Sequence, residues 1–405
     1  MRHFILCMLL WGGYGIPNLS AQQCQNHTTG NIPIPDLGNQ WFHGMSGGLY
    51  GQGNNLMPAF HQHAGIALTQ TILPLDNNGQ PSAQGKIGFI SMGMSNANMF
   101  FAGLRDSTLL FAQRNPAMTM VNGASGGYDI MAMLDTTSQY WPLLQQKLQQ
   151  SGLHPLQVQV IWFMQARHIS GLNPNEGLSH IDSMENRFLQ SIYLFKQRFP
   201  NLKQVFCSGR DYGGYSNPGS GNPEPFAYYT NWAFRRLIDR QLSGDPALAF
   251  NHAQSPAVWL AWADHVWADG ENPRQDGFVW LCPEDVQTDG VHPSPSGKAK
   301  VAHRLFQFFK TDTTTTWYRQ TPALSFQNPT KTEKVSILYH PTEQTLQLLL
   351  YQGTLRHFEL RNLLGQKVLH TQEYMASVQH LLPGMYLIFI QSSQGNLCIK
   401  WMKPA

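Results

Sequence analysis

The chain has 405 residues, enough for two or three domains and a sizeable core. Charged residues make up only 13% of it, roughly half the usual share, whereas 42% hydrophobic content with 11 Trp and 22 Phe excludes wholesale disorder. The formal net charge of +3 lies at one end: residues 331–405 carry seven Lys/Arg and four Asp/Glu, and the preceding 330 residues carry 20 of each sign, so the concentrated basic face of a nucleic-acid binder is absent.

In chain order, the first 21 residues read as an export signal. Arg2 and His3 precede an apolar run from Phe4 to Trp11, and Leu19-Ser20-Ala21 is a small-residue cleavage site. The run is too short to span a membrane, and no other run reaches the roughly 18 apolar residues required. Removal of Cys7 with the signal leaves Cys24, Cys207, Cys282 and Cys398. Their spacing matches no zinc site, and free thiols or one bridge are expected, with the pairing open. Residues 22–85 are Gly-, Asn- and Pro-rich and read as irregular.

From Lys86 to Phe308 buried-strand runs alternate with amphipathic helices. The runs are Ile87–Met92, Met118–Val121, Val158–Met164, Gln204–Cys207 and Ala257–Trp262. The helices are Thr136–Gln150, Ser183–Arg198, Glu224–Leu242 and Ser296–Phe309. Continuous apolar strands separated by helices imply an α/β fold, a mostly parallel sheet covered on both faces. Residues 310–334 read as a Thr- and Pro-rich linker. Beyond it, Val335–Leu338, Leu346–Tyr351, Arg356–Arg361, Lys367–Leu369, Met385–Ile390 and Leu397–Met402, punctuated by glycines, predict a small C-terminal β-sandwich over 335–405.

Parallel sheets bind ligands at the carboxyl ends of their strands, and the candidate chemistry lies there. Gly93-Met94-Ser95-Asn96 follows the first run, Asn122-Gly123-Ala124-Ser125-Gly126-Gly127 the second, and Gln165-Ala166-Arg167-His168 the third. Asp289-Gly290-Val291-His292-Pro293-Ser294 precedes the last helix. A serine hydroxyl needs an adjacent imidazole to take its proton, and the imidazole needs a carboxylate to hold its tautomer. Ser95, His292 and Asp289 meet these needs. The N–H groups of Ser95 and Gly126, with the Gln165 amide, are the candidate oxyanion donors. Asn96, Arg167 and His168 are candidate substrate-lining residues. Arg210-Asp211, after the fourth run, reads either as part of the substrate site or as an ion pair.

These blocks resemble those of the SGNH (GDSL-type) hydrolases over about Ile87 to Phe309. That family's nucleophile block is matched by Ser95, its second-block glycine by Gly126, and its final D-x-x-H-P block by Asp289, His292 and Pro293. Met94 replaces the family's Asp before the nucleophile. Gln165 replaces its third-block Asn, an arrangement similar to the W-x-Q of the sialate- and acetylxylan-esterase-like branch, with Ala166-Arg167 in place of the Gly-Glu that usually follows. The resemblance implies a flavodoxin-like three-layer sheet and a Ser-His-Asp esterase without cofactor. Its substrate would be an ester, above all O-acetyl groups on a carbohydrate. A lipid or small-ester hydrolase and a catalytically idle glycan-binding protein on the same fold are the alternatives. Leu360–Leu369, Leu381–Ile390 and Gly395–Lys403 resemble the C-terminal sorting domain of the type IX secretion pathway of Bacteroidetes. That resemblance implies the secretion machinery as partner and a secreted or cell-surface location.

Other features compete for the same roles. Ser125 in Gly123–Gly127 satisfies G-x-S-x-G, but an Asp and His three residues apart suit Ser95 better. His61 and His63 lack a third ligand and are expected in a loop near the pocket, with no metal. Phe226, Tyr228, Tyr229 and Trp232 are expected on a helix core face. Trp262, Trp267 and Trp280 are candidate sugar-stacking residues.

Overall fold

The computed structural model describes residues 24, 26–217, 219–250, 255–320, 335–340, 343–350, 353–393 and 395–403. The expected signal segment, and the stretch 321–334 of the expected linker, lie outside the described residues. The described chain forms two units, one ending at Tyr318 and one beginning at Arg319.

The first unit opens with a hairpin, β1 (Trp41–Phe42) and β2 (Met45–Ser46), and helix α1 (Ala59–Thr69). Then come β3 (Ile87–Gly93), α2 (Ser95–Leu109), β4 (Met118–Val121), α3 (Ile130–Leu134), α4 (Tyr140–Gln150), β5 (Val158–Met164) and α5 (Ser179–Arg198). They are followed by β6 (Gln204–Cys207), α6 (Phe226–Leu242), β7 (Trp259–Trp262) and α7 (Pro295–Thr311). Five parallel strands form one sheet in the order β4-β3-β5-β6-β7. β3, β5, β6 and β7 are buried along their whole length, which is why their sequences show no alternation. The order reverses beside β3, and the loops after β3, β4 and β5 leave the same edge at that switch point.

Three expectations need correction. The 22–85 region holds a helix: Gly65 lets α1 lie against β7, where an added Cβ would stand 2.4 Å from Trp259 Cζ2. The linker does not begin at Lys310, because α7 runs to Thr311 and 3-10 turns span Thr313–Tyr318. There Trp317 and Tyr318 are buried and Trp317 Nε1 donates to Gln204 Oε1 at 2.8 Å. A Thr-rich composition cannot announce such packing. His61 and His63 stand on α1, not in a loop at the pocket; His61 is buried, stacks on Trp259 and bonds the Leu260 carbonyl. Helices α2 and α3 were also not anticipated from periodicity.

The second unit has β8 (Val335–His340), β9 (Thr345–Leu350), β10 (Leu355–Arg361), β11 (Lys367–Thr371), β12 (Met375–Ser377), β13 (Gly384–Ser392) and β14 (Gly395–Lys403). They form antiparallel sheets ordered β11-β10-β13-β14 and β12-β9-β8. Leu346 and Leu348 of one sheet and Phe358, Leu360, Ile388 and Ile390 of the other share one buried cluster, the core of a small β-sandwich.

Cys24 and Cys282 form a disulfide across 258 residues, while Cys207 and Cys398 are free thiols. Asp269 adds to this tie, accepting from Thr29 N at 2.6 Å and Gly30 N at 2.9 Å. Cross-linking so long a loop restricts the unfolded chain and is worth roughly 2–5 kcal/mol. Replacing Cys24 and Cys282 together by Ser is therefore expected to lower the thermal midpoint by several degrees, read by calorimetry. An unchanged midpoint would show that the bridge contributes nothing.

Candidate active site

Ser95 is the first residue of α2, directly after β3. Gly93 makes the turn possible: its φ is +155°, and a Cβ there would stand 2.0 Å from the Met164 carbonyl oxygen. The first N–H groups of a helix have no intrahelical acceptors, so the Ser95 N–H is a donor at the sheet edge. The N-cap residue, Met94, makes no side-chain capping bond. Ser95 Oγ lies 2.8 Å from His292 Nε2, and His292 Nδ1 lies 2.5 Å from Asp289 Oδ2.

The Asp289–His292 turn is held from both sides. Asp289 Oδ1 accepts from the backbone N–H of Val291 (2.9 Å) and His292 (3.0 Å). Gly290 has φ +65°, and an added Cβ would meet the Tyr215 carbonyl oxygen at 1.9 Å, so only glycine fits. Ser294 then caps α7, accepting from Ser296 N and Gly297 N. This explains why D-x-x-H-P-S stands directly before a helix. Partial burial works to raise the Asp289 pKa, but the bonds from His292 and Val291 outweigh it and hold the carboxyl below its ordinary value.

The second-block loop is braced by polar contacts. Ser91 Oγ donates to Asn122 Oδ1 (2.8 Å), Asn122 Nδ2 to the Asn98 carbonyl (2.8 Å), and Asn98 Nδ2 to the Ala124 carbonyl (2.8 Å). Lys147 of α4 donates to both the Ala124 carbonyl and Ser125 Oγ at 2.8 Å. The serine of G-x-S-x-G is thus bonded to a lysine, while His292 faces Ser95. An added Cβ on Gly126 would stand 3.6 Å from Ser95 Cβ, which places Gly126 beside Ser95. Lys147 carried no local signal, being one polar residue of an amphipathic helix.

A cavity of about 300 Å³ opens on these groups, lined by Ser95, His292, Asp289, Gly126, Gln165 and residues named below. Gln165 is buried; its Oε1 accepts from Ala166 N, and its Nε2 donates to the Tyr128 carbonyl at 3.2 Å. That leaves the second amide hydrogen to offer. Asn96 and His168 also line the cavity. Asn96 spends both amide hydrogens on the protein, donating to Asp211 Oδ2 (2.7 Å) and the Val291 carbonyl (2.8 Å). It braces the Asp289–His292 turn, and its Oδ1 is buried without a hydrogen-bond partner among the described residues. Arg167 is not a lining residue; it pairs with Glu176 at 3.2 Å.

The aromatic residues sort differently from expectation. Trp262, Trp267 and Trp280 are fully buried and bond Leu49 O, Glu224 Oε1 and Val266 O through their indole nitrogens. None is a stacking platform, because a loop-rich sequence cannot show that its aromatics turn inward. Phe226, Tyr228 and Trp232 lie on the buried face of α6, with Tyr229 partly buried beside them. Among the described residues no group of three His, Cys, Asp or Glu is placed to hold a metal, and no helix is long and apolar enough to cross a membrane.

No family model matches the chain, and no curated protein matches it. Among solved structures the chain is similar to a GDSL-like lipase from Bacteroides thetaiotaomicron, at 9% identity and TM-score 0.32, over 62% of this chain and 95% of that one. It is also similar to a putative acylhydrolase from Bacteroides fragilis, at 12% identity and TM-score 0.32, over 62% and 96%. A third is a gut microbial diltiazem-metabolizing enzyme, at 12% identity and TM-score 0.30, over 78% and 70%. Likeness at this level assigns no activity, and the functional assignment rests on the geometry of the site.

The depressed Asp289 pKa has a consequence for stability. A carboxylate with its pKa lowered on folding contributes stability above its unfolded value, 3.8, and loses it as pH falls through the folded value. Asp289→Asn should therefore flatten the acid side of the stability profile below about pH 4, measured by urea denaturation across that range. A parent profile no steeper than the variant's there would contradict the shift.

Proposed function

We propose that the protein is a secreted serine hydrolase of SGNH type that cleaves an ester, O-acetyl groups on a carbohydrate being the preferred substrate. The observation that carries the catalytic reading is the 2.8 Å contact between Ser95 Oγ and His292 Nε2, with His292 Nδ1 on Asp289. Ser95 attacks the ester carbonyl as His292 Nε2 takes its proton, and Asp289 holds the imidazole in the tautomer that allows this. The N–H groups of Ser95 and Gly126, with the second Gln165 amide hydrogen, stabilise the tetrahedral oxyanion. His292 returns the proton to the departing alcohol. Water, activated by the same imidazole, then releases the acid from Ser95.

A cavity of about 300 Å³ is at the small end of ligand sites and suits a short acyl group. The Met94, Ala97, Met164, Ala166 and Val291 lining favours a second reading, a small apolar ester. The burial of the three tryptophans removes ring stacking as support for a sugar substrate, which leaves polar contacts to provide it.

Fluorophosphonate labelling tests the nucleophile. Ser95→Ala should abolish labelling and lower ester hydrolysis by at least about 10,000-fold, while Ser125→Ala should still label. Labelling that survives in Ser95→Ala would overturn the assignment.

The apolar run at residues 4–11 and the sandwich over 335–405 support export followed by type IX sorting. In a host with that pathway, a chain truncated after Thr332 should stay in the periplasm while the full chain reaches the medium or surface, read by fractionation. Equal release of both forms would remove the sorting role.

A further inference from the structure

Arg210 is the single Arg or Lys among the described residues lining the cavity. It follows β6 at the same sheet edge and is 4% exposed. Its Nη1 stands against Asp211 as an ion pair, the other oxygen of Asp211 being occupied by Asn96, and both its Nε and its Nη1 are buried without a hydrogen-bond partner among the described residues. A guanidinium carries five N–H donors in a planar fork, so one carboxylate contact leaves most of them unused. Buried donors without partners are rare because each bears the full cost of lost hydration. Burial lowers the Arg210 pKa to about 10, opposed by the charges of Glu224 and Asp289, and the side chain is cationic at neutral pH.

We propose that Arg210 is a substrate-binding residue that donates to an uncharged oxygen of the ester beyond its reacting carbonyl, so that polyhydroxylated esters are the substrate class. The proposal rests on the Ser95 hydrolase reading. The surroundings select an uncharged acceptor: Asp211 already balances the guanidinium, and Asp289 and Glu224 act on the same charge. An anionic ligand would meet the Asp289 carboxylate in the cavity wall, beside a cation already paired with Asp211. A hydroxyl, ring or acetyl carbonyl oxygen accepts the same hydrogen bonds without that repulsion. A plain hydrocarbon ester would leave the donors unpaired, and that is the contrast by which polar sites discriminate.

The test compares an acetylated methyl xyloside with 4-nitrophenyl acetate. Arg210→Lys keeps a charge opposite Asp211 but loses the fork. It should lower kcat/KM for the sugar ester at least about tenfold, mainly through KM, and change the aryl ester less than about twofold. An equal fall on both substrates would overturn the proposal, reducing Arg210 to a support of the Asp211–Asn96 chain, and so would no fall on either.

Should the variant fail to fold, the wild-type enzyme reads the same contact. Methyl xyloside should inhibit aryl acetate hydrolysis competitively and cyclohexanol should not; equal inhibition overturns the proposal. Faster hydrolysis of an acetylated uronic acid than of the neutral sugar would overturn the uncharged acceptor. Ser95→Ala serves as the separate control: if it retains hydrolysis of both esters, the serine mechanism fails, whereas an inactive Ser95→Ala together with an Arg210→Lys effect equal on both esters refutes only the role of Arg210.

Discussion

The geometry of the site depends on how closely β3 approaches β5 at its carboxyl end. Gly93 sits opposite Met164 in the parallel register, with space for hydrogen but not for a methyl group beside the Met164 carbonyl. That contact lets the chain turn into α2, so that Ser95 emerges as the first helical residue. Ser95, Gly126 and Gln165 share one edge because β3, β4 and β5 are adjacent and parallel.

The second component, the Asp289–His292 turn, is brought in from 197 residues away and is held by short polar contacts. Asn96 adds a tie from the helix that carries Ser95. It follows Ser95 directly and bonds the Val291 carbonyl, so Ser95 and His292 are set by neighbouring residues of one helix turn. Asp211 in turn fixes the Asn96 amide, and Arg210 neutralises Asp211. The chain Asp211–Asn96–Val291 thereby steadies the Asp289–His292 turn.

Much of this is legible in the sequence. The five apolar runs match the five strands almost residue for residue, because strands buried on both faces must be apolar throughout. The D-x-x-H-P-S block was legible because its Asp–His turn and helix cap are local features within six residues. Asn96 stood out by position, but its role did not, since a side chain beside a nucleophile points equally well to ligand or to protein. Lys147 and the inward tryptophans left no trace, and Thr313–Tyr318 was misleading because its burial depends on Gln204, over a hundred residues away.

The sequence by itself determined the layered α/β class, the C-terminal sandwich and the identity of the nucleophile, acid and base candidates, because periodicity and turn chemistry are local. Only the tertiary structure decided between Ser95 and Ser125 as the partner of His292. It also paired Cys24 with Cys282, buried the tryptophans and left Arg210 at the cavity with donors to spare. Each of those outcomes rests on distances between residues far apart in the chain, and strand order and packing set such distances.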